Sequence, residues 1–293
     1  MRHERERGRM DPIPVNRNGE NDAEEKGSYG PAKPFNKKKL LLQFLTIAAV
    51  ALAIAIGISI FFKVDTVSIS GMEKYSYETI RDASGIQEDD SLLFFSRAEV
   101  SSKIMQKLPY VKSVRIGISL PGTVHIVIEE VAVTYAVADN AGAWWLISAE
   151  GKVLEQVDAD KVQDLTVIQG VTLLKPEVGA QANAAPQHAD DTTAVTAADR
   201  LAAALLVLQG LESNELLGEF AVVDVTSPYD LQLWYRDAYN GDEYLFKLGD
   251  SQTLVQKLSI VKGCLPRIVA DYPSGMLDVS QLGMEEYPFT KFD

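Results

Sequence analysis

The side chains with which this chain could do chemistry are its histidines, its cysteine and its clustered carboxylates, and their spacing favours none of the common reactions. His3, His125 and His188 stand far apart, and no two fall one helical turn from each other as ligands of a shared zinc ion would. Cys264 is the single cysteine, so it can complete neither a zinc set nor an internal disulfide. A serine nucleophile would need a base; His125 has no evident serine partner, and no G-x-S-x-G is present. Neither a Walker sequence nor G-x-G-x-x-G occurs, which removes the usual phosphate cradles. Glu88-Asp89-Asp90 and Glu285-Glu286 are the acidic clusters that a cell-wall hydrolase would draw on. Adjacent loop residues point apart, however, and 41 acids in one chain produce such neighbours by chance, so both are expected to be solvated surface. The expectation is a protein without a catalytic, cofactor or metal site.

The elements that must carry any other function begin with an apolar run, Leu40 to Phe62. At about 1.5 Å of rise per residue it matches a hydrocarbon core of about 30 Å. A signal peptide would have a shorter apolar region ending at a small-x-small site, but Ala53-Ile54-Ala55 lies inside the run, so a retained transmembrane helix over 40–62 is predicted. Lys26, Lys33 and Lys37–Lys39 precede it, whereas only Lys63, Lys74 and Arg81 follow closely. This asymmetry predicts a cytoplasmic N-terminus and an extracytoplasmic C-terminus. Residues 1–39, charged and proline-rich, are expected to form a disordered tail. Residues 1–63 hold 11 Lys and Arg against 7 Asp and Glu, net +4; the remainder holds 17 against 34, net −17. An acidic ectodomain of this kind argues against nucleic acid and anionic lipid as partners.

Beyond the span, Val64–Ser70 reads as a strand closed by Gly71. Ser76 can cap a short helix that ends at Gly85. Ser96-Arg97-Ala98-Glu99 is a capping box, followed by Val100, Ile104 and Leu108 at helical spacing until Pro109. Val111–Ser119 and Thr123–Glu130 alternate as strands around Pro121-Gly122. The order β-α-α-β-β over 64–130 predicts a sheet covered on one face by two helices.

Residues 131–280 read as a mixed β-domain with two helices. Strands are expected at Val131–Ala138, Ala143–Ser148, Lys152–Val157, Leu165–Ile168, Phe220–Val225, Leu231–Tyr235, Glu243–Leu248, Arg267–Ala270 and Met276–Val279, with a turn at Asn240-Gly241. One helix carries the stripe Leu201, Leu205 and Leu208 and ends at Gly210. The other starts at Asp250 and carries Leu254, Leu258, Val261 and Leu265. Residues 177–198 are poor in large apolar side chains and are expected to form a mobile insertion.

The strings PYVKSVRIGISLPGTVHIVIEE (Pro109–Glu130), VSISGMEKYSYETI (Val67–Ile80), WWLISAEGKVLEQV (Trp144–Val157), LTVIQG (Leu165–Gly170) and FKLGDSQTLVQKLSIV (Phe246–Val261) resemble the FtsQ/DivIB cell-division family. That resemblance implies an α+β architecture: a short cytoplasmic tail, one span, a membrane-proximal POTRA domain and a β-domain. It also implies a non-enzymatic division protein that scaffolds and regulates septal peptidoglycan synthesis. Its partners would be the small division proteins of the FtsB/DivIC and FtsL type and, through them, the septal peptidoglycan synthase. The family receives such partners at the C-terminal edge of the β-domain. By position this implies Val279, Gln281, Gly283, Met284 and Tyr287, within a partner-binding segment at 281–293. From the residues alone, that segment either folds back on its own domain or offers Tyr287 and its neighbours to a partner strand or helix. Two other functions weigh against the resemblance: a POTRA-bearing secretion or membrane-assembly component, for which neither repeats nor a barrel's worth of strands is found, and a cell-wall hydrolase.

Overall fold

The computed structural model describes residues 37–92, 95–186, 195–239, 241–284 and 286–292. The N-terminal tail with His3, His188 in the insertion, Asn240 and Glu285 lie outside the described residues. The chain divides between residues 54 and 55 into two compact units. Helix α1, Lys37–Phe61, spans 25 residues and has no buried side chain, as an apolar helix waiting for a lipid environment must.

The POTRA unit has the predicted order. It comprises β1 (Thr66–Ser70), α2 (Tyr77–Ser84), α3 (Arg97–Lys107), β2 (Val111–Ser119) and β3 (Thr123–Glu130). The sheet runs β1-β3-β2, with β1 parallel to β3 and β2 antiparallel to it. Ser76 and Ser96 both act as N-caps, accepting from the amides of Thr79 and Glu99. The return half of the second capping box is absent from the described hydrogen bonds, because the Glu99 carboxylate pairs with Lys103 at 2.7 Å instead. Ile80, Ile104, Val124 and Ile126 are fully buried between helices and sheet, with Val67 and Val114 packed against them. The alternating valines and isoleucines of β3 thus place one face in the core and leave His125 and Val127 on the other.

The β-domain is one nine-stranded sheet. In spatial order it runs β12 (Phe289–Lys291), β11 (Gly275–Asp278), β10 (Glu243–Gly249), β9 (Leu231–Arg236), β8 (Val222–Asp224), β7 (Thr166–Gln169), β4 (Tyr135–Ala138), β5 (Trp144–Ile147) and β6 (Val153–Val157). Helices α4 (Ala197–Ser213) and α5 (Leu254–Asp271) pack on one face around Leu208, Val223, Leu233, Phe246, Leu258 and Val261, all fully buried.

Three local expectations fail here, each because packing overrides a local signal. Gly210 does not end α4, which continues to Ser213; it lies buried where α4 meets α5, and a Cβ there would stand 2.6 Å from Leu258 Cδ1. Arg267–Ala270 is not a strand, since α5 carries Pro266 inside it and runs on until Asp271, which keeps Ile268 in the core. Asp250 is not the N-cap of α5. Thr253 holds that place with φ +53° and no side-chain cap, while Asp250 accepts from Gln252 N–H and from the buried Lys257 ammonium at 3.0 Å. That Lys257 hydrogen bond holds the Asp250 carboxyl below its usual range.

Part of the expected insertion is tied down. Gly179 donates to Val153 and Ala180 accepts from it, Ala182 donates to Gly151, and Ala185 donates to Thr172. Residues 179–182 therefore border the outer side of β6. Residues 187–194 lie outside the described residues.

Candidate functional site

The sequence expected an edge strand ending near Val279, and the structure adds one more strand beyond it. Phe289–Lys291 pairs antiparallel with β11, Leu277 facing Phe289 and Gly275 facing Lys291, and Phe292 N–H closes on Ser274 C=O at 3.0 Å. The terminal segment folds back on its own domain, and β12 is the edge. Because Phe292 and Thr290 turn their backbone groups toward β11, the alternation of an antiparallel ladder turns those of Phe289 and Lys291 outward. A three-residue run with one exposed lysine gave no alternation long enough to be read as a strand.

The five residues implied by the resemblance divide between surface and core. Gln281, Gly283 and Met284 are exposed; Gly283 holds φ +87° with open space around it, so its turn relies on the missing Cβ for conformation and not for close approach. Val279 is fully buried and donates its N–H to Lys247 C=O. Tyr287 is half-buried against the main core, so the uncovered aromatic expected from sequence is partly covered. Phe292, inside the expected 281–293 segment but not singled out there, is exposed and sits 6.2 Å from Trp234 on the opposite face of the sheet from the helices.

At the other end of the sheet the POTRA unit is clasped to the β-domain. Tyr110 packs with Ala136, Leu146 and Leu154 and its hydroxyl donates to Glu155. Burial first, then that carboxylate, pushes the Tyr110 phenol above its ordinary value. Lys74 lies 3.4 Å over the Tyr110 ring and 3.7 Å from Glu155. Lys152 reaches into POTRA and donates to the carbonyls of Met105 at 2.9 Å and Val111 at 3.4 Å. It thereby places a cation on the Met105 carbonyl in the last turn of α3, where the helix dipole favours it. Lys112 bridges Glu212 and Glu150, the latter at 3.2 Å; its hydrogen bond to Glu212 raises its pKa. Burial opposes ionisation of Glu150, yet the Ser148 hydroxyl, its own amide and Lys112 outweigh it and hold the carboxyl below its usual range.

This clasp carries a pH prediction. A carboxylate whose folded pKa is depressed stabilises the fold above its unfolded value of 4.5 and loses that contribution as pH falls through the folded value. At neutral pH the POTRA unit and β-domain are expected to melt together. Scanning calorimetry of Lys112→Met/Lys152→Met should then resolve two transitions, as should the parent protein once acidified well below the ordinary glutamate range. A single transition throughout would show that the clasp does not couple the two.

Contrary to the expectation that His125 has no serine partner, its Nε2 lies 3.1 Å from Ser119 Oγ, brought there diagonally across the β2–β3 ladder. The pair is exposed, and no described carboxylate orients the other ring nitrogen, so it is a cross-strand surface contact. Glu88, Asp89 and Asp90 are engaged separately with Arg81 at 3.0 Å, Lys63 at 3.2 Å and Gln87 N–H at 2.9 Å. Among the described residues no three His, Cys, Asp or Glu side chains group to hold a metal.

Comparison with known proteins adds what geometry alone leaves open. Residues 62–130 match the family model described as POTRA domain, FtsQ-type. The chain is similar to "Cell division protein DivIB" of Clostridium botulinum strain Hall, 25% identical over 250 residues, covering 84% of this chain and 89% of that protein. A second DivIB, of Lactococcus lactis subsp. lactis strain IL1403, is 26% identical over 165 residues, which are 53% of this chain and 42% of the relative. "Cell division protein FtsQ" of Caulobacter vibrioides strain NA1000 is 31% identical over 109 residues, 37% of this chain and 35% of that one. A match over 84% of 293 residues cannot end at the POTRA unit; it must run through most of the β-domain as well. The POTRA model falls directly behind the apolar helix and the DivIB similarity continues past it, so the chain carries an FtsQ-type POTRA domain, is similar to the FtsQ/DivIB cell-division proteins over most of its length, and is a single-pass membrane protein of the division site.

Proposed function

We propose that this protein is a non-enzymatic scaffold of the divisome. It holds its ectodomain outside the cytoplasm and regulates septal peptidoglycan synthesis by binding the small division proteins of the FtsB/DivIC and FtsL type at its C-terminal edge. The observation that carries this reading is β12: an edge strand whose outer N–H and C=O groups at Phe289 and Lys291 are free to accept a partner strand by β-augmentation. Exposed Phe292, directly after the strand, and exposed Met284, in the segment that leads to it, are apolar anchors of the kind that dominate small interfaces. Division proteins of this family work in an assembly, which is the setting such an edge requires.

Lys291→Pro tests the edge with little harm to the fold, because Lys291 is exposed, its N–H faces outward, and proline is tolerated on edge strands. Affinity of the purified protein for the extracytoplasmic segments of its division partners should fall about tenfold or more, equivalent to about 1.4 kcal/mol, with an unchanged melting temperature. Equal affinity would move the interface away from β12.

The orientation follows from the lysines flanking α1. Protease added to intact protoplasts is expected to remove the ectodomain and leave residues 1–39 protected. A mature N-terminus near Ala55 would show instead that the apolar segment is cleaved.

A further inference from the structure

The end of α1 is joined to the POTRA unit by a tight backbone seam. Phe62 donates to Ile58 and so prolongs the helix by one residue; Leu92 donates to Phe62 C=O, and Val64 to Asp90 C=O. The β2–β3 hairpin seals the same seam. Gly122 C=O accepts from Asp65 at 2.8 Å and Thr66 at 3.1 Å, and a Cβ on Gly122 would lie 2.9 Å from Lys63 C=O. Only three residues separate Phe61 from Asp65, so Asp65, which donates to the turn Leu120-Pro121-Gly122 at 2.8 Å, sits within about 13 Å of the end of the apolar helix, counted at about 3.3 Å per extended residue. The headgroup layer on one side of a bilayer is about 5–7 Å thick, so the turn is within reach of the membrane surface.

The composition of that turn suits the place. Leu120 is 67% exposed, one of the most exposed large apolar side chains outside α1. Ser119, Leu120, Pro121, Gly122 and Thr123 carry no charge, Pro121 has no N–H to desolvate, and the Gly122 carbonyl is already satisfied twice. Nearby, Asp89 is paired with Lys63 at 3.2 Å, and Asp65 and Asp90 leave the surroundings net acidic, which would oppose anionic headgroups.

We propose that Leu120 is an interfacial anchor: it enters the boundary between headgroups and acyl chains of a zwitterionic phospholipid leaflet and fixes how the POTRA unit stands on its span. The occupant of this surface is lipid, chosen by the short tether to the helix end and by the absence of charge. The inference rests on the single-pass character of the chain and is independent of the partner edge at β12.

The test uses the full chain with Cys264→Ser, reconstituted in phosphatidylcholine nanodiscs, with nitroxide labels attached in turn through Leu52→Cys, Leu120→Cys and Tyr239→Cys. Collision with oxygen, which partitions into lipid, is compared with collision with a water-soluble nickel chelate. Leu52 lies within α1 and marks the bilayer interior; Tyr239 is fully exposed and marks water. The label at 120 is expected to show an oxygen-to-nickel ratio several-fold above that at 239 and below that at 52. A ratio at 120 equal to that at 239, with 52 reading as lipid, overturns the anchor alone. An aqueous reading at 52 overturns the membrane span and the anchor together.

Discussion

Ile104→Ala is expected to destabilise the POTRA unit by about 2–5 kcal/mol, the range for truncating a large aliphatic side chain in a packed core. Ile104 is fully buried in the middle of α3 and meets the sheet through Ile126 and its neighbours. The surrounding side chains come from three strands and two helices whose backbones are fixed by the ladder, so the space left behind can close only partially. Lys103, one residue earlier, projects to solvent and pairs with Glu99; Lys103→Ala should leave the urea midpoint near that of the parent protein. Equal midpoints for the two variants would mean that α3 turns a different face to the sheet.

A larger loss is expected at Phe246→Ala, about 3–5 kcal/mol. Phe246 is fully buried in β10 and meets Phe220 edge to face, with ring centroids 6.0 Å apart and planes at 83°. It faces Leu277 of β11 on one side and Leu233 of β9 on the other. β11 and the short edge strand β12 hang on β10, so loosening it should also remove the partner binding proposed for β12, although Phe246 itself reaches no surface. Thermal melts and binding measured on the same preparations should therefore fall together, whereas Lys291→Pro separates them. A stable Phe246→Ala protein would place the aromatic pair outside the load of the fold.

The POTRA unit was legible in the sequence because its signals are local. Ser76 and Ser96 announce their helices within three residues, and Val124, Ile126 and Ile128 declare a face within five. The β-domain was legible strand by strand where alternation lasted, as in Leu231–Tyr235. It failed where a distant neighbour decides: Gly210 reads as a stop until Leu258 is known to lie against it, and Arg267–Ala270 reads as a strand until α5 is seen to run through it with Ile268 in the core. The candidate site suffered most. Positional resemblance led to Val279, whose side chain faces inward, and to Tyr287, which is half covered. Within the 281–293 segment it did not single out Phe292, whose companion Trp234 is 58 residues away. The clasp at Lys152 was invisible for the same reason, since its acceptors are backbone carbonyls 47 and 41 residues earlier, and backbone carries no sequence signal.

The order of the large sheet has a bearing on traffic at the division site. β6, whose Glu155 receives Tyr110, and β12 are its two opposite ends, separated by eight strand-to-strand steps. At about 4.8 Å per step the contour between them is about 38 Å, several times the width of a single helix or strand. A binder seated along β12 and another seated on the POTRA unit would therefore not collide, and neither would need to leave for the other to arrive. If the partner edge proposed at β12 holds, its occupancy is then independent of anything that seats on the POTRA unit, and the order of arrival would not matter.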